Sequence, residues 1–160
     1  NGFIRTEADE VQYNLHIMLR FELEKALIND DLRAEDLEAA WNEAFLRDFG
    51  YPVDNASNGV LQDVHWSMGA IGYFPTYTLG NLYAAQLLEA AREDLPTHDD
   101  QIRSGDFEHI LGWMRENIHN RGSVLKPADL IQEATGSAPS PDAFVRYLSS
   151  KVERLYGISA

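Results

Sequence analysis

Residues 6 to 28, TEADEVQYNLHIMLRFELEKALI, place apolar side chains on more than one face of the helix they predict. Thr6 followed by Asp9 supplies an N-cap, and Asn29, Asp30 and Asp31 close the segment. Between them, Val11, Tyr13, Leu15, Ile17, Met18, Leu19, Phe21, Leu23, Leu27 and Ile28 leave little room for a broad polar face. A helix of this kind sits centrally in a larger body, because a surface helix needs only one apolar stripe.

The remaining segments supply such stripes. Leu37, Trp41 and Phe45 stand at i, i+4 and i+8, predicting a one-sided helix over about 35–49. GYPVDNASNG then reads as a loop by its Gly, Pro and Asn content. Helical spacing returns over about 76–93 through Leu79, Leu82, Ala85 and Leu88, and LPTHDDQIRSGD reads as a connector. A helix over about 107–120 carries Phe107, Ile110, Leu111, Met114 and Ile118, and a short one over about 127–134 has Pro127 near its first turn. TGSAPSPD breaks it, and a last helix over about 142–156 aligns Val145, Leu148, Val152 and Leu155. No segment alternates with period two for long and no repeat is visible, so the prediction is one all-α body of about six to seven helices.

Composition narrows the function classes. At 160 residues the chain is long enough for one domain with a core. A net charge of -13 without a basic stripe repels a polyanion and argues against nucleic acid. No window approaches the uninterrupted apolar length of a membrane span. The absence of cysteine removes disulfide and thiolate chemistry and fits a reducing, cytoplasmic setting. The chain starts at Asn1 directly before a helix start, which predicts a piece of something longer.

One stretch differs from the rest. Residues 59–81, GVLQDVHWSMGAIGYFPTYTLGN, crowd glycines, aromatic rings, an imidazole and a Gln/Asp pair between two helices. His65, Tyr73 and Tyr77 offer ring N–H and phenol donors of the kind a developing oxyanion requires. The plainer alternative makes Trp66, Tyr73, Phe74 and Tyr77 core aromatics with satisfied polar tips. Asp63, His65 and Ser67 alternate like a small hydrolytic triad, yet i, i+2 neighbours point in parallel and do not converge on one atom.

Other polar residues carry similar pairs of readings. Arg5 is either an ion-pair partner of Glu7, Asp9 or Glu10, or a bidentate grip for an anionic ligand. His16, Arg20 and Glu24 form a polar ladder along the first helix, with partners expected in missing sequence or at an interface. His98, beside Asp99 and Asp100, is expected in solvent. Glu116 and His119 make a single E-x-x-H pair, where a di-iron carboxylate bundle needs two, so an exposed helix face is the expectation.

Two motifs in order connect these residues. Ile4, Arg5, Ala8 and Asp9 match I-R-x-x-A-D, and Gly59, Gln62, Asp63, His65 and Trp66 match G-x-x-Q-D-x-H-W. The segments around them closely resemble the C-terminal part of the carboxypeptidase Taq family of zinc-dependent metallocarboxypeptidases. GDFEHILGWMRENIHNRGSVLKPADLIQEATG and PDAFVRYLSSKVERLYG resemble the family's closing helices, so the likeness covers essentially the whole chain.

The resemblance implies an all-helical, two-lobed, zincin-like peptidase with a deep cleft, homodimeric and cytoplasmic, removing residues from the free C-terminus of peptides. It implies zinc (or cobalt) on an H-E-x-x-H helix and a downstream glutamate, all upstream of Asn1. This chain then corresponds to the family's last third, lacks the metal ligands and is expected to be inactive alone. Within that reading His65 and one of Tyr73 or Tyr77 stabilise the oxyanion, and Arg5 binds the substrate's terminal carboxylate. Gln62 and Asp63 orient His65 or brace the loop, and Gly69, Gly72 and Gly80 let the backbone approach the peptide. The competing reading is a non-catalytic helical interaction domain, or a degenerate peptidase remnant, with the aromatic loop as a binding surface.

Overall fold

The computed structural model describes residues 2–158. Seven α-helices appear among them: α1 (Gln12–Ile28), α2 (Leu37–Phe49), α3 (Pro75–Asp94), α4 (His98–Ser104), α5 (Glu108–Asn117), α6 (Pro127–Thr135) and α7 (Asp142–Tyr156). Three short 3-10 turns, Arg5–Glu7, Ala34–Asp36 and His119–Arg121, complete the helical content, and no strand occurs among the described residues. The all-α expectation therefore holds. The chain gathers into two compact units, Asn1–Leu79 and Gly80–Ala160.

In the first unit α1 is only partly covered. Ile17, Leu19 and Leu23 are buried alongside the polar His16, Arg20 and Glu24, whereas Val11, Met18, Phe21 and Ile28 of the same apolar set are exposed. Its start is set by Asp9, whose Oδ1 accepts the backbone N–H of Val11 at 2.9 Å and of Gln12 at 2.8 Å. Two N–H groups that the first helical turn leaves without partners are thereby satisfied.

Helix α2 presents Trp41, Ala44 and Phe45 to Leu19 and Leu23 of α1. Phe45 stacks on Phe49 with centroids 4.3 Å apart, and Phe3 and Tyr51 close around them at 5.9 and 5.4 Å from Phe45. Burying Trp41 and Phe45 supplies roughly 1.5–3 kcal/mol each, and this aromatic wedge holds the residue 3–5 segment against the bundle. The irregular segment between α2 and α3 packs Val53, Val60 and Trp66 onto the same core.

The second unit is more sparsely filled. Ala91, Trp113, Ile131 and Ala143 are its buried apolar residues. Trp113 donates its indole N–H to Asp94 at 2.7 Å. Gln86 is buried and spreads its amide nitrogen over Thr135, Ser137 and Ala138, each at 3.1 Å, while its oxygen accepts from the Ser140 N–H at 3.2 Å. One side-chain amide thus replaces the missing helical bonds of the bend between α6 and α7.

The connector over residues 95–106 departs from expectation, because α4 forms inside it. Asp99 and Asp100 in the first turn and Arg103 in the last complement the helix dipole, and Gly105, at φ 80°, ends the helix. His98 is correspondingly buried rather than solvent-exposed, since the first turn of α4 carries it inward.

Candidate active-site loop

The loop from Gly59 to Phe74 is positioned by the N-terminal segment below it and by α1 alongside it. Gln62 uses its whole amide: Nε2 donates to the Phe3 carbonyl at 3.0 Å and the Asn58 carbonyl at 2.8 Å, and Oε1 accepts the Arg5 backbone N–H at 2.9 Å. This ties the two motifs together across 57 positions of sequence.

Asp63 is the centre of the site. Its Oδ1 accepts from Arg5 NH2 at 2.8 Å, and its Oδ2 accepts from Arg20 Nε at 2.7 Å. Arg20 NH2 approaches the same Oδ2 at 2.6 Å as an ion-pair contact off the hydrogen-bonding direction. Burial alone would push the Asp63 carboxyl up, but the hydrogen bonds and charges of the two arginines outweigh it and hold it below its ordinary range. Burial likewise works against Arg5, yet Asp63 and Tyr13 leave its pKa raised. Arg20, with a side chain 0% exposed, goes the other way: burial lowers it to about 10 despite Asp63, so it stays charged at neutral pH. The two guanidiniums share one carboxylate and differ in burial, which accounts for their opposite shifts.

Aromatic faces line both cations. Arg20 lies 4.6 Å from the Trp41 ring centre, and Arg5 lies 4.8 Å from that of Tyr77. Arg5 NH1 also donates to the Tyr13 hydroxyl at 3.0 Å.

His65 adjoins this cluster and is half-buried. Its Nε2 and the Tyr77 hydroxyl are 3.1 Å apart, and its ring lies against Phe74 at 4.4 Å. Its Nδ1 is 3.7 Å from Asp63 Oδ1, outside hydrogen-bond range. Tyr73 flanks the pair, 5.7 Å from His65 and 5.4 Å from Tyr77 between ring centres, and is 49% exposed. The two readings of the aromatics therefore divide by residue. Phe74 is core, Trp66 is packed against the core, and the half-buried His65 and Tyr77 form a polar group with the exposed Tyr73.

Several sequence expectations are corrected here. The carboxylate that Arg5 meets is Asp63, 58 positions on, and not Glu7, Asp9 or Glu10. Arg20 and Glu24 find their partners within this chain, on the loop itself: Asp63 for Arg20, and the Trp66 indole and the Gly72 N–H for Glu24. Gly80 lies inside α3, outside the loop that holds Gly69 and Gly72. Ser67 turns away and donates to the Val64 carbonyl at 2.8 Å. Arg20, Glu24 and Tyr13 are site residues that motif reading missed. The local signal for Arg20 and Glu24 is the polar line they form with His16 at i, i+4, i+8, whereas Tyr13 counts in sequence among the helix's apolar residues.

Among the described residues no group of three or more His, Cys, Asp or Glu side chains is arranged to hold a metal ion. The site's chemistry is that of hydrogen-bond donors and a buried ion cluster. Against known families, the model of the carboxypeptidase Taq (M32) metallopeptidases matches residues 1–152. The chain belongs to that family.

Its relatives in this M32 family agree. Thermostable carboxypeptidase 1 of Thermus thermophilus is 48% identical over 156 residues, covering 98% of this chain and 31% of that protein. Carboxypeptidase 1 of Bacillus subtilis is 44% identical over 155 residues, covering 97% and 31%. The M32 carboxypeptidase structure from Deinococcus radiodurans superposes with a TM-score of 0.95 at 40% identity, covering 98% of this chain and 32% of that one. Trypanosoma cruzi metallocarboxypeptidase 1 gives 0.90 at 42% identity, over 94% and 31%. The chain thus spans about 31% of the length of the M32 relatives it matches.

Proposed function

We propose that this chain forms the substrate-facing, C-terminal portion of a metallocarboxypeptidase that removes C-terminal residues from peptides, and that it does not hydrolyse peptides alone. The observation that carries the reading is the His65 Nε2 to Tyr77 hydroxyl contact of 3.1 Å on the open side of the loop, with Tyr73 beside it. In this reading the imidazole Nε2–H donates to the phenol oxygen, and the Tyr77 O–H is left to point at the oxygen that gains charge when the scissile carbonyl becomes tetrahedral. Asp63, clamped by Arg5 and Arg20, keeps the His65 segment in place, and Gln62 fastens that segment to the I-R-x-x-A-D motif.

Arg5 completes the reading as the anchor for the substrate's terminal carboxylate. The Arg5 side chain is 8% exposed and points three of its five N–H groups to Asp63 and Tyr13, and the reading assigns the other two to the substrate's carboxylate. The family's metal finds no ligand set among the described residues, so no step assigned here runs through it. Zinc, or cobalt, is the metal the reading expects elsewhere in the whole protein. The reading also takes that protein to be a cytoplasmic homodimer acting on peptides, not on nucleic acid or membranes. The lack of cysteine and the charge of -13 support the compartment and the choice of partner.

The test is kinetic, in the whole protein that contains these residues. Tyr77→Phe or His65→Ala should lower kcat on the order of a hundredfold with much less effect on KM, as loss of an oxyanion donor does. Arg5→Ala should chiefly reduce the preference for free over amidated C-termini. Unchanged turnover in the first pair would leave the exposed loop residues Leu61, Val64, Met68 and Ile71 best read as a binding surface.

A further inference from the structure

Helix α1 meets the loop through two side chains one turn apart. Arg20 holds Asp63, two residues before His65. Glu24, only 4% exposed, reaches the residues that follow His65. Its Oε2 accepts the indole N–H of Trp66 at 2.8 Å, and its Oε1 accepts the backbone N–H of Gly72 at 2.6 Å. Trp66 directly follows His65, and Gly72 directly precedes Tyr73. One carboxylate therefore spans the turn between them and grips the residue after His65 and the residue before Tyr73, which flanks the His65–Tyr77 pair.

The turn does not need Glu24 to close. Its own backbone bonds, Ala70 N–H to the His65 carbonyl at 2.8 Å and Gly69 N–H to the Trp66 carbonyl at 3.0 Å, already give it a local shape. Those bonds do not fix the turn against α1; the two bonds to Glu24 do so together with the packing of Trp66 on the core. A carboxylate suits the position because both donors converge on it and it offers acceptors only. A glutamine offers one acceptor, so its amide N–H₂ would face either the indole N–H or the Gly72 N–H. We infer that Glu24 is a positioning residue for peptide hydrolysis, setting where the His65 ring stands relative to its neighbours Tyr73 and Tyr77 and hence the aim of the donor group. This rests on the oxyanion reading above.

The experiment uses the whole protein with its metal bound, a peptide with a free C-terminus, and the variants Glu24→Gln, Glu24→Gln/Trp66→Phe, His65→Ala and Tyr77→Phe. Glu24→Gln should lower kcat on the order of tenfold to a hundredfold, with KM within about threefold of the parent and metal content unchanged. Adding Trp66→Phe removes the N–H that opposes the new amide. The double variant should therefore recover part of the lost kcat, a non-additivity that a purely structural role would not produce. Should Glu24→Gln not fold, Trp66→Phe alone removes one of the two donors, and a several-fold fall in kcat at constant KM is expected.

Full kcat in Glu24→Gln with only a lower melting temperature overturns the inference while leaving the oxyanion reading in place, provided His65→Ala and Tyr77→Phe lose turnover. If Glu24→Gln does not fold, full kcat in Trp66→Phe overturns it on the same terms. Full turnover in His65→Ala and Tyr77→Phe overturns the oxyanion reading and this inference with it.

Discussion

His16 is the residue whose environment most clearly couples the fold to pH. Its ring is fully buried, 4.5 Å from Phe49 and 5.9 Å from Phe45 between centres, and Arg20 lies one helical turn away. Burial first, and the charge of Arg20 second, lower its pKa from 6.5 to about 4; the Gly2 carbonyl and Asp63 oppose this without reversing it, and Arg5 adds to it. Between those values the unfolded chain takes up a proton that the folded chain refuses. The contribution is therefore complete above pH 6.5 and drains away as pH falls towards 4, by about 3 kcal/mol in all. Asp63 acts in the same sense at lower pH: its depressed pKa contributes stability above the ordinary carboxylate value, lost as pH falls through the folded one. The urea midpoint should thus decline from pH 6.5 to 4, and His16→Leu should flatten that limb while sparing the more acidic one. A wild-type midpoint constant over that range would show that the buried imidazole is not coupled to folding.

At the scale of elements, the helices were largely legible and the loop's supports were not. The ends of α1 at Ile28, α2 at Phe49 and α7 at Tyr156 follow from apolar periodicity and from the Asn/Asp or Gly residues behind them. The short α4 escaped because seven residues carry too little periodicity to stand out from a polar connector. Arg5 and His65 could be nominated from the motifs, and Tyr73 or Tyr77, without a choice between them, from the aromatic crowding of the loop. Their bracing could not, since Arg20 and Asp63 are 43 positions apart, and Glu24 is 42 and 48 positions from its two partners. Glycines show the same divide between local and long-range causes. A Cβ on Gly59 would meet Val53 Cγ1 at 2.9 Å, with Asn55 O and Trp41 Nε1 at 3.4 Å, so Gly59→Ala should destabilise by about 1–3 kcal/mol through crowding. Gly80 lies in α3 with open space around it, so Gly80→Ala should stabilise by up to about 1 kcal/mol through helix propensity. Thermal unfolding of the two variants should shift in opposite directions, and a loss of stability in Gly80→Ala would mean that this position is constrained by something other than the helix.

For the molecule as a whole, the uneven distribution of buried apolar surface sets where it opens first. The first unit buries Ile17, Leu19, Leu23, Trp41, Phe45 and Phe74, whereas the buried apolar residues described in the second are Trp113 and Ile131 with two alanines. Each large side chain removed from water contributes roughly 1.5–3 kcal/mol, so a difference of four such residues outweighs the few ion pairs, such as Arg146 with Glu89 at 2.7 Å, that the second unit has on its surface. Helix α7 illustrates the point. Its sequence carries a well-formed apolar stripe, yet Val145 and Leu155 remain 56% and 59% exposed. Native-state amide exchange on these 160 residues should therefore find α1 and α2 the slowest to exchange, and α5, α6 and α7 at least about tenfold faster through local opening. Equal protection across both units would mean that they unfold as one cooperative body and that the thinner core is stabilised by contacts other than apolar burial. The expected gradient instead ties the most stable part of the chain to the helix whose Arg20 and Glu24 hold the His65 loop, so the donor group stays aimed while the second unit fluctuates.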